Sequence, residues 1–512
     1  MLQHLPVLPL LIPLLTGVLL LLPPLSDSLP RQRWMGALSA LLQLAVAITL
    51  LREVHTQGTL VYAVGEWQPP FGIVLVADRL AALLVLLTAF LLLCVQLFSC
   101  ADEDQKGRFL HPLLMFQALG IQGAFITGDL FNLFVFFEIL LIASYALLIH
   151  GGGAQKTLAN VHYVALNLAG SALFLFALGI MYGTFGTLNM ADMQQRAARI
   201  EADDLYLAKA GAMLLLVVFG LKSAMTPLHF WLPRAYAAAP APVAALFAIM
   251  TKVGVYSLWR VHGTIFGADA GALANVAQPW LWPLAWLTLV VGIIATLASQ
   301  TLRALTANLV IVSVGSLLLM VALDSREATA GGLYYLVHST LATALMFLLA
   351  GLIIRQRGKA EDRFVQARPV SQPILLGTLF FLAALALIGM PPVSGFIGKA
   401  LMLKAALVGE RALIIWPPIL VGSLAALIML SRTGGTLFWR IRGENSDPIR
   451  VHPSQQVAVW LLVITLPLMV VFAGTITGYA GLAAEDLRRG LQLPQLAPAP
   501  ALVLETGGDD NA

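Results

Sequence analysis

The sequence predicts an all-α polytopic membrane protein with about fourteen transmembrane helices. Three observations predict it. Of 512 residues, 59% are hydrophobic and only 11% are charged, against about 25% charged in an average soluble domain. The mean hydropathy is +0.87, so too few polar residues exist to cover a soluble core. The apolar residues also fall into runs of about 20, the length that crosses a hydrocarbon layer.

Taken in order, the first run is 5–23. It lacks a basic n-region and a small-residue cleavage site, so it reads as an uncleaved first span rather than a signal peptide. A second run covers 33–51, and residues 52–72 form a polar link marked by Gly and Pro. Runs at 73–98, 110–127, 129–149 and 158–183 follow. Residues 184–205 carry Asp192, Arg196, Arg199, Glu201, Asp203 and Asp204, and read as a short amphipathic surface helix. Further runs occupy 206–232, 240–262, 279–299, 304–323 and 331–354. A basic link with Arg355, Arg357, Lys359, Arg363 and Arg368 leads to 373–408, 412–440 and 456–479. Residues 490–512 turn Pro/Ala/Leu-rich and then acidic, the composition of a disordered tail.

Two of these runs are interrupted. The seventh contains Pro227 and the twelfth contains Pro391, Pro392 and Gly395. Each is fourth in a set of five, which divides the chain into helices 1–3 (1–109), a first repeat of helices 4–8 (110–262), a second of helices 9–13 (279–440), and helix 14 (456–479). An odd number of helices per repeat makes the second repeat inverted. Broken helices in corresponding positions of two halves point to a transport site.

The net charge of +4 reads as loop Lys and Arg that set topology, not as a nucleic-acid surface. The side that includes the clusters at 355–368 and 440–450 is richer in basic residues, which makes it cytoplasmic and places both termini outward. No dinucleotide fingerprint, phosphate loop or HExxH motif occurs. Gly151-Gly152-Gly153 follows an apolar helix and reads as a loop. Cys94 and Cys100 form no CxxC and no Cys/His ligand set, so neither metal nor cofactor is expected.

The stretch 219–260 holds two lysines, Lys222 and Lys252, inside apolar runs separated by Pro227, Pro233, Pro240 and Pro242. A mid-membrane lysine costs about 2.5–3.5 kcal/mol on insertion scales and marks a functional position. Glu138 is the one carboxylate well inside the fifth run, and Lys222 is its candidate partner. Two readings are open: a static ion pair between helices, or a pair that opens and lets the lysine release its proton. Lys252 has no nearby carboxylate in sequence. His338 lies in the eleventh run, where it can relay protons or serve the core. Lys399 follows the second break, where freed carbonyls and water are expected. Secondary candidates are His229 at the first break, Lys404 near a span end, where snorkelling competes, and Asp78. The default for Asp78 and Arg79 is a local ion pair capping the third helix. Trp231, Trp280, Trp282 and Trp439 read as interfacial anchors. Glu138, Lys222, Lys252, His338 and Lys399 suit proton transfer better than metal ligation or hydrolysis.

Lys222-Ser-Ala-Met-Thr-Pro-Leu-His229-Phe-Trp-Leu-Pro233, Ala239-Pro240-Ala-Pro242-Val243 and Lys252-Val-Gly254 closely resemble the hallmark of proton-translocating antiporter-like subunits. That family includes the large membrane subunits of respiratory complex I and of Mrp-type multisubunit cation/proton antiporters. Gly65-Glu-Trp67 through Asp78-Arg-Leu80, and Gly395-Phe-Ile-Gly-Lys399, are similar to the D-type branch of the Mrp antiporter subunits. The resemblance implies fourteen helices, two inverted five-helix repeats, outward termini, and a proton path through Glu138, Lys222, Lys252, His338 and Lys399. It implies partner membrane subunits in a hetero-oligomer, H⁺ and Na⁺ or K⁺ as transported ions, no cofactor, and a cytoplasmic (inner) cell membrane location. One departure is that many relatives carry a lysine about a turn after the eleventh-span histidine, where this chain has Ala342 and Thr343. The expected role is a secondary transporter subunit, not an enzyme. The alternatives are a proton-pumping membrane-arm subunit of a NADH-quinone oxidoreductase or membrane hydrogenase, and a non-transporting scaffold subunit.

Overall fold

The computed structural model describes residues 2–67, 69–443 and 449–491. Among these, twelve helices are long and apolar enough to cross a membrane. The two remaining positions expected as spans, the fourth and the twelfth, hold shorter apolar helices, Leu110–Ile126 and Pro373–Ile388. The multi-pass, predominantly helical reading is correct.

Helices α1 (Leu8–Leu21) and α2 (Leu29–Gln57) open the chain. The expected polar link at 52–72 is structured instead. Strands β1 (Leu60–Ala63) and β2 (Val74–Ala77) pair antiparallel, Leu60 opposite Ala77 and Ala63 opposite Val74. The third span therefore begins at Arg79, not at 73. The apolar residues 74–77 read as the start of a helix but serve as a buried strand, a distinction that short apolar runs do not carry. Helices α3 (Arg79–Ser99), α4 (Leu110–Ile126), α5 (Leu130–Leu148) and α6 (Ala154–Phe185) follow, then the short α7 (Met190–Ala197) in the charged segment.

The seventh span is broken as expected. Helix α8 (Leu205–Ser223) stops at Ala224, and α9 (Trp231–Ala238) begins after the seven irregular residues 224–230. The run 240–262 is not one regular helix. It comprises α10 (Ala241–Phe247) and α11 (Met250–Ser257), and α11 continues as a π-helix over Leu258–Ile265. Helices α12 (Gln278–Leu297), α13 (Leu302–Leu323) and α14 (Arg326–Arg357) lead to the second break, between α15 (Pro373–Ile388) and α16 (Ser394–Val408). The chain continues through α17 (Ala412–Gly434), α18 (Pro453–Val471) and α19 (Ala473–Arg489). The expected span 456–479 thus ends at Val471, and a separate helix runs on to Arg489. The expected tail, from residue 492 on, lies outside the described residues.

Both breaks stop their helix in the same way. Ala224 has φ 62° and Gly389 φ 82°. Met225 N–H donates to the Gly220 carbonyl at 2.8 Å, and Met390 N–H to the Leu385 carbonyl at 3.1 Å. These six-to-one bonds close a Schellman stop. At Ala224 the left-handed backbone costs about 1 kcal/mol that glycine would avoid.

The helices form an inner and an outer layer. The apolar stretches of α13 and α14 are 94% and 83% buried, those of α2 and α6 only 33% and 39%. The outer helices therefore face lipid or partner subunits. Gly254 of α11 lets two inner helices meet, because a Cβ there would lie 2.5 Å from the Ser223 backbone nitrogen. Two ends are distinct. The hairpin, the 186–189 loop and α19 share one end, as the Leu75–Thr127 and Asp129–Asn189 bridges and the Arg79–Asp486 ion pair show. Arginines 33, 303, 355 and 357 share the other, paired with Asp104, Asp362, Asp102 and the Glu361 carbonyl.

Candidate functional site

Lys222, Lys252 and His338 are buried, at 4%, 0% and 1% exposure; Glu138 and Lys399 are half-buried. Each of these five groups meets a serine hydroxyl.

Glu138 and Lys222 do not touch directly. Ser171 of α6 stands between them. Its hydroxyl donates to Glu138 Oε1, and Lys222 Nζ lies 3.4 Å from Ser171 Oγ and 3.4 Å from the Asn167 carbonyl. The ammonium also lies 5.9 Å from the Phe137 ring centroid. A direct ion pair is therefore corrected to a bridged one. A serine can accept from the lysine while donating to the glutamate, so it joins two charges that stay apart.

Lys252 sits on α11 with Ser313 Oγ of α13 at 3.5 Å, and no carboxylate among the described residues pairs with it. Ser313 lines a cavity of about 20 Å³ with Tyr335, His338, Thr343 and Lys399. That volume has room for about one water molecule. Thr343, about a turn and a half beyond His338 on α14, also lines this cavity.

His338 of α14 has both ring nitrogens engaged. Nε2 faces the Ala386 carbonyl at 3.1 Å and Nδ1 faces Ser394 Oγ at 2.8 Å. A carbonyl can only accept, so Nε2 carries the hydrogen and Nδ1 accepts from the serine. Lys399 donates to the Ile388 carbonyl at 2.7 Å and Ser423 Oγ at 2.8 Å. Ile388 is the last residue of α15, where unbonded carbonyls and the negative helix end favour a cation. Gly395 is required at this contact, since a Cβ there would lie 2.2 Å from the Ala386 carbonyl oxygen and 2.8 Å from His338 Nε2. Gly395→Ala is expected to displace the imidazole and slow transport by about tenfold, with smaller loss on Gly398→Ala, read as ion flux in vesicles.

The secondary candidates divide. His229 bonds Thr226 Oγ1 at 3.3 Å within the first break, which Thr288 of α12 also holds through the Thr226 N–H at 2.9 Å. Lys404 is exposed, as snorkelling requires. Asp78 does cap α3, accepting from Ala81 N–H at 2.8 Å. Its ion pair, however, is not with Arg79. Arg260 meets it with two bonds, at 2.6 and 2.9 Å, and Arg79 pairs with Asp486 at 2.8 Å. Trp231 is no interfacial anchor either. It is 2% exposed and donates to the Leu221 carbonyl at 3.0 Å.

The structure does bring Cys100, Asp104 and His111 together, with donor atoms within 4.8 Å of one another. Arg33 takes both Asp104 oxygens, at 2.7 and 2.8 Å. His111 is held between Asp104, at 3.1 Å, and Gln96, at 2.6 Å. Burial pushes the Cys100 thiol up to about 11, which disfavours a thiolate ligand. The cluster is an arginine-neutralised polar network.

A helical bundle with two interrupted helices, and basic groups beside each interruption, is the architecture of a secondary-transporter membrane subunit. Within that class, the chain belongs to the NADH:quinone oxidoreductase/Mrp antiporter transmembrane family, which its residues 127–425 match. It is 39% identical to the D component of a probable K(+)/H(+) antiporter of Rhizobium meliloti, over 95% of this chain and 96% of that one. It is 37% identical to the D component of a Na(+)/H(+) antiporter of Bacillus subtilis, over 94% and 96%. Its fold superposes on a chain of the Mrp complex from Dietzia sp. DQ12-45-1b with a TM-score of 0.85 at 24% identity, covering 95% and 97%. A chain of Thermus thermophilus respiratory complex I gives 0.77 at 25% identity, covering 96% and 99%.

Proposed function

We propose that the chain is the proton-translocating D component of a multisubunit antiporter that exchanges H⁺ for Na⁺ or K⁺ across the cell membrane. The single observation that carries this reading is the set of buried and half-buried titratable groups, each against a hydroxyl. They are Glu138 and Lys222 on Ser171, Lys252 on Ser313, His338 on Ser394, and Lys399 on Ser423. Hydroxyls both donate and accept, so each can hand a proton onward without being charged itself. The names of the relatives support antiport, and subunits of this kind act with partner membrane subunits.

In this reading the two halves, 110–262 and 279–440, are inverted repeats, and the matched Schellman stops at Ala224 and Gly389 support the pairing. The arginine-rich end is cytoplasmic, which turns both termini outward. Protons pass from the Glu138–Ser171–Lys222 bridge to Lys252, across Ser313 and the cavity at Tyr335, to His338 and Lys399. One charge crossing 100 mV releases about 2.3 kcal/mol and an outgoing Na⁺ or K⁺ costs the same, so the membrane potential drives the exchange when more than one proton enters per cation.

The test uses everted vesicles that carry the whole complex and a preformed pH gradient. Added Na⁺ or K⁺ is expected to dissipate the gradient with no electron donor present. Lys252→Ala is expected to reduce that response to the background of vesicles lacking the complex. Exchange at the wild-type rate in an assembled Lys252→Ala complex would rule the path out. Proton movement that requires an electron donor would instead favour a redox-linked pump.

A further inference from the structure

His262 lies on the π-helical continuation of α11, outside every contact described so far. It is 6% exposed, and both ring nitrogens are buried without a hydrogen-bond partner among the described residues. The indole N–H of Trp259, 2% exposed, is equally unpartnered. Both side chains line one cavity of about 20 Å³, closed by Asn275, Gln278, Val321 and Asp324. A buried polar group without a partner costs about 1–3 kcal/mol, and here three such atoms border a space with room for about one water molecule.

The position is directional. The His262 ring packs against Phe219, centroids 6.4 Å apart. Phe219 lies about one turn from Lys222 on α8, toward the hairpin end. On the other side of the cavity, Asp324 ends α13 at that same end. Its backbone carbonyl accepts from Arg488 of α19 at 2.9 Å, and burial raises its carboxyl above the ordinary range. The other charged neighbour on the same helix, Arg260, is committed to Asp78. π-Helical turns occur often at functional sites.

His262 also differs from His338 in a way that matters for proton movement. His338 is pinned in one tautomer by a carbonyl and a serine. Neither nitrogen of His262 is held by a protein group, so uptake at one and loss from the other is unopposed. That transfer leaves the opposite tautomer, and a half-turn of the ring about its Cβ–Cγ bond restores the starting arrangement.

We propose that His262 is a further proton-relay residue, with Trp259 holding a bound water between it and Asp324, through which protons pass between the Lys222 region and the hairpin end of the membrane. This inference rests on the antiport reading. The experiment has two arms on the intact complex. In everted vesicles, His262→Phe is expected to slow cation/proton exchange at least about tenfold, and Asp324→Asn to slow it less. In X-ray radiolytic footprinting of the wild-type complex, which labels side chains beside bound water, Trp259 is expected to react several-fold faster than the equally buried Trp231. Exchange within twofold of wild type in an assembled His262→Phe complex would overturn the proposal, as would Trp259 labelling no faster than Trp231. A wild-type complex that shows no exchange defeats the antiport reading itself. If His262→Phe does not assemble, the footprinting comparison decides.

Discussion

Replacing Lys222 by alanine is expected to lower cation/proton exchange about 100-fold or more while the complex still assembles. The ammonium has only three neighbours of consequence: Ser171 Oγ, the Asn167 carbonyl and the Phe137 ring. None of them depends on the lysine for its own fold, since Ser171 keeps Glu138 and Asn167 also bonds the Tyr163 carbonyl at 3.0 Å. The lesion is therefore one of function. Ser171→Ala is the sharper companion. It leaves both charges in place and removes only the atom that joins them, so exchange is expected to fall about tenfold. Ser171→Thr keeps the hydroxyl and is expected to recover most of the rate. If Ser171→Ala transports as wild type does, the bridge is dispensable and the two charges communicate by another route. Vesicle flux, normalised to assembled complex, reads all three.

The second large effect concerns stability. Asp78 and Arg260 form an ion pair with side chains only 4% and 2% exposed. Arg260 Nε also donates to the Tyr256 hydroxyl at 3.1 Å, which in turn donates to the Phe125 carbonyl at 2.8 Å. Removing one member of a buried pair leaves the other charge uncompensated, at a cost of about 3–5 kcal/mol. Asp78→Ala is expected to lower the melting temperature markedly and to reduce assembled protein. The double change Asp78→Ala with Arg260→Leu is expected to restore much of that stability, because no stranded charge remains. Thermal unfolding followed by size-exclusion fluorescence compares the three. A single variant that melts with the wild type would show the arginine finding water or another anion.

Much of this architecture was legible in the residues. The length of the apolar runs and the prolines at 227, 391 and 392 located the spans and both breaks, because a helix end in a membrane needs a chemical cause. The buried lysines were legible for the same reason: the cost of burial makes them conspicuous. What escaped were their partners. Ser171, Ser313, Ser394 and Ser423 are ordinary helix residues by sequence, and only the packing of α6, α13, α16 and α17 aims them at the charges. The Arg260–Asp78 pair escaped because its members lie 182 residues apart, while Arg79 offered a nearer cation. His262 escaped because a histidine at a span end reads as an interfacial residue, and its π-helical turn has no sequence signature. The hairpin at 60–77 was hidden by an apolar strand that matched the start of a helix.

Helix α19 has a meaning for how the molecule is made. It docks on α3 and α14, with Asp486 bonded to Arg79 and Glu485 to Arg326. Arg79 leaves the ribosome 407 residues before its partner. The third span therefore sits in the bilayer with Arg79 unpaired while 407 further residues are made, and the eleventh with Arg326 unpaired for 159. The hairpin end is fastened only once α19 has been made. Helix α19 is thus a late clasp, and a chain cut short before residue 473 would insert its earlier spans yet leave that end open.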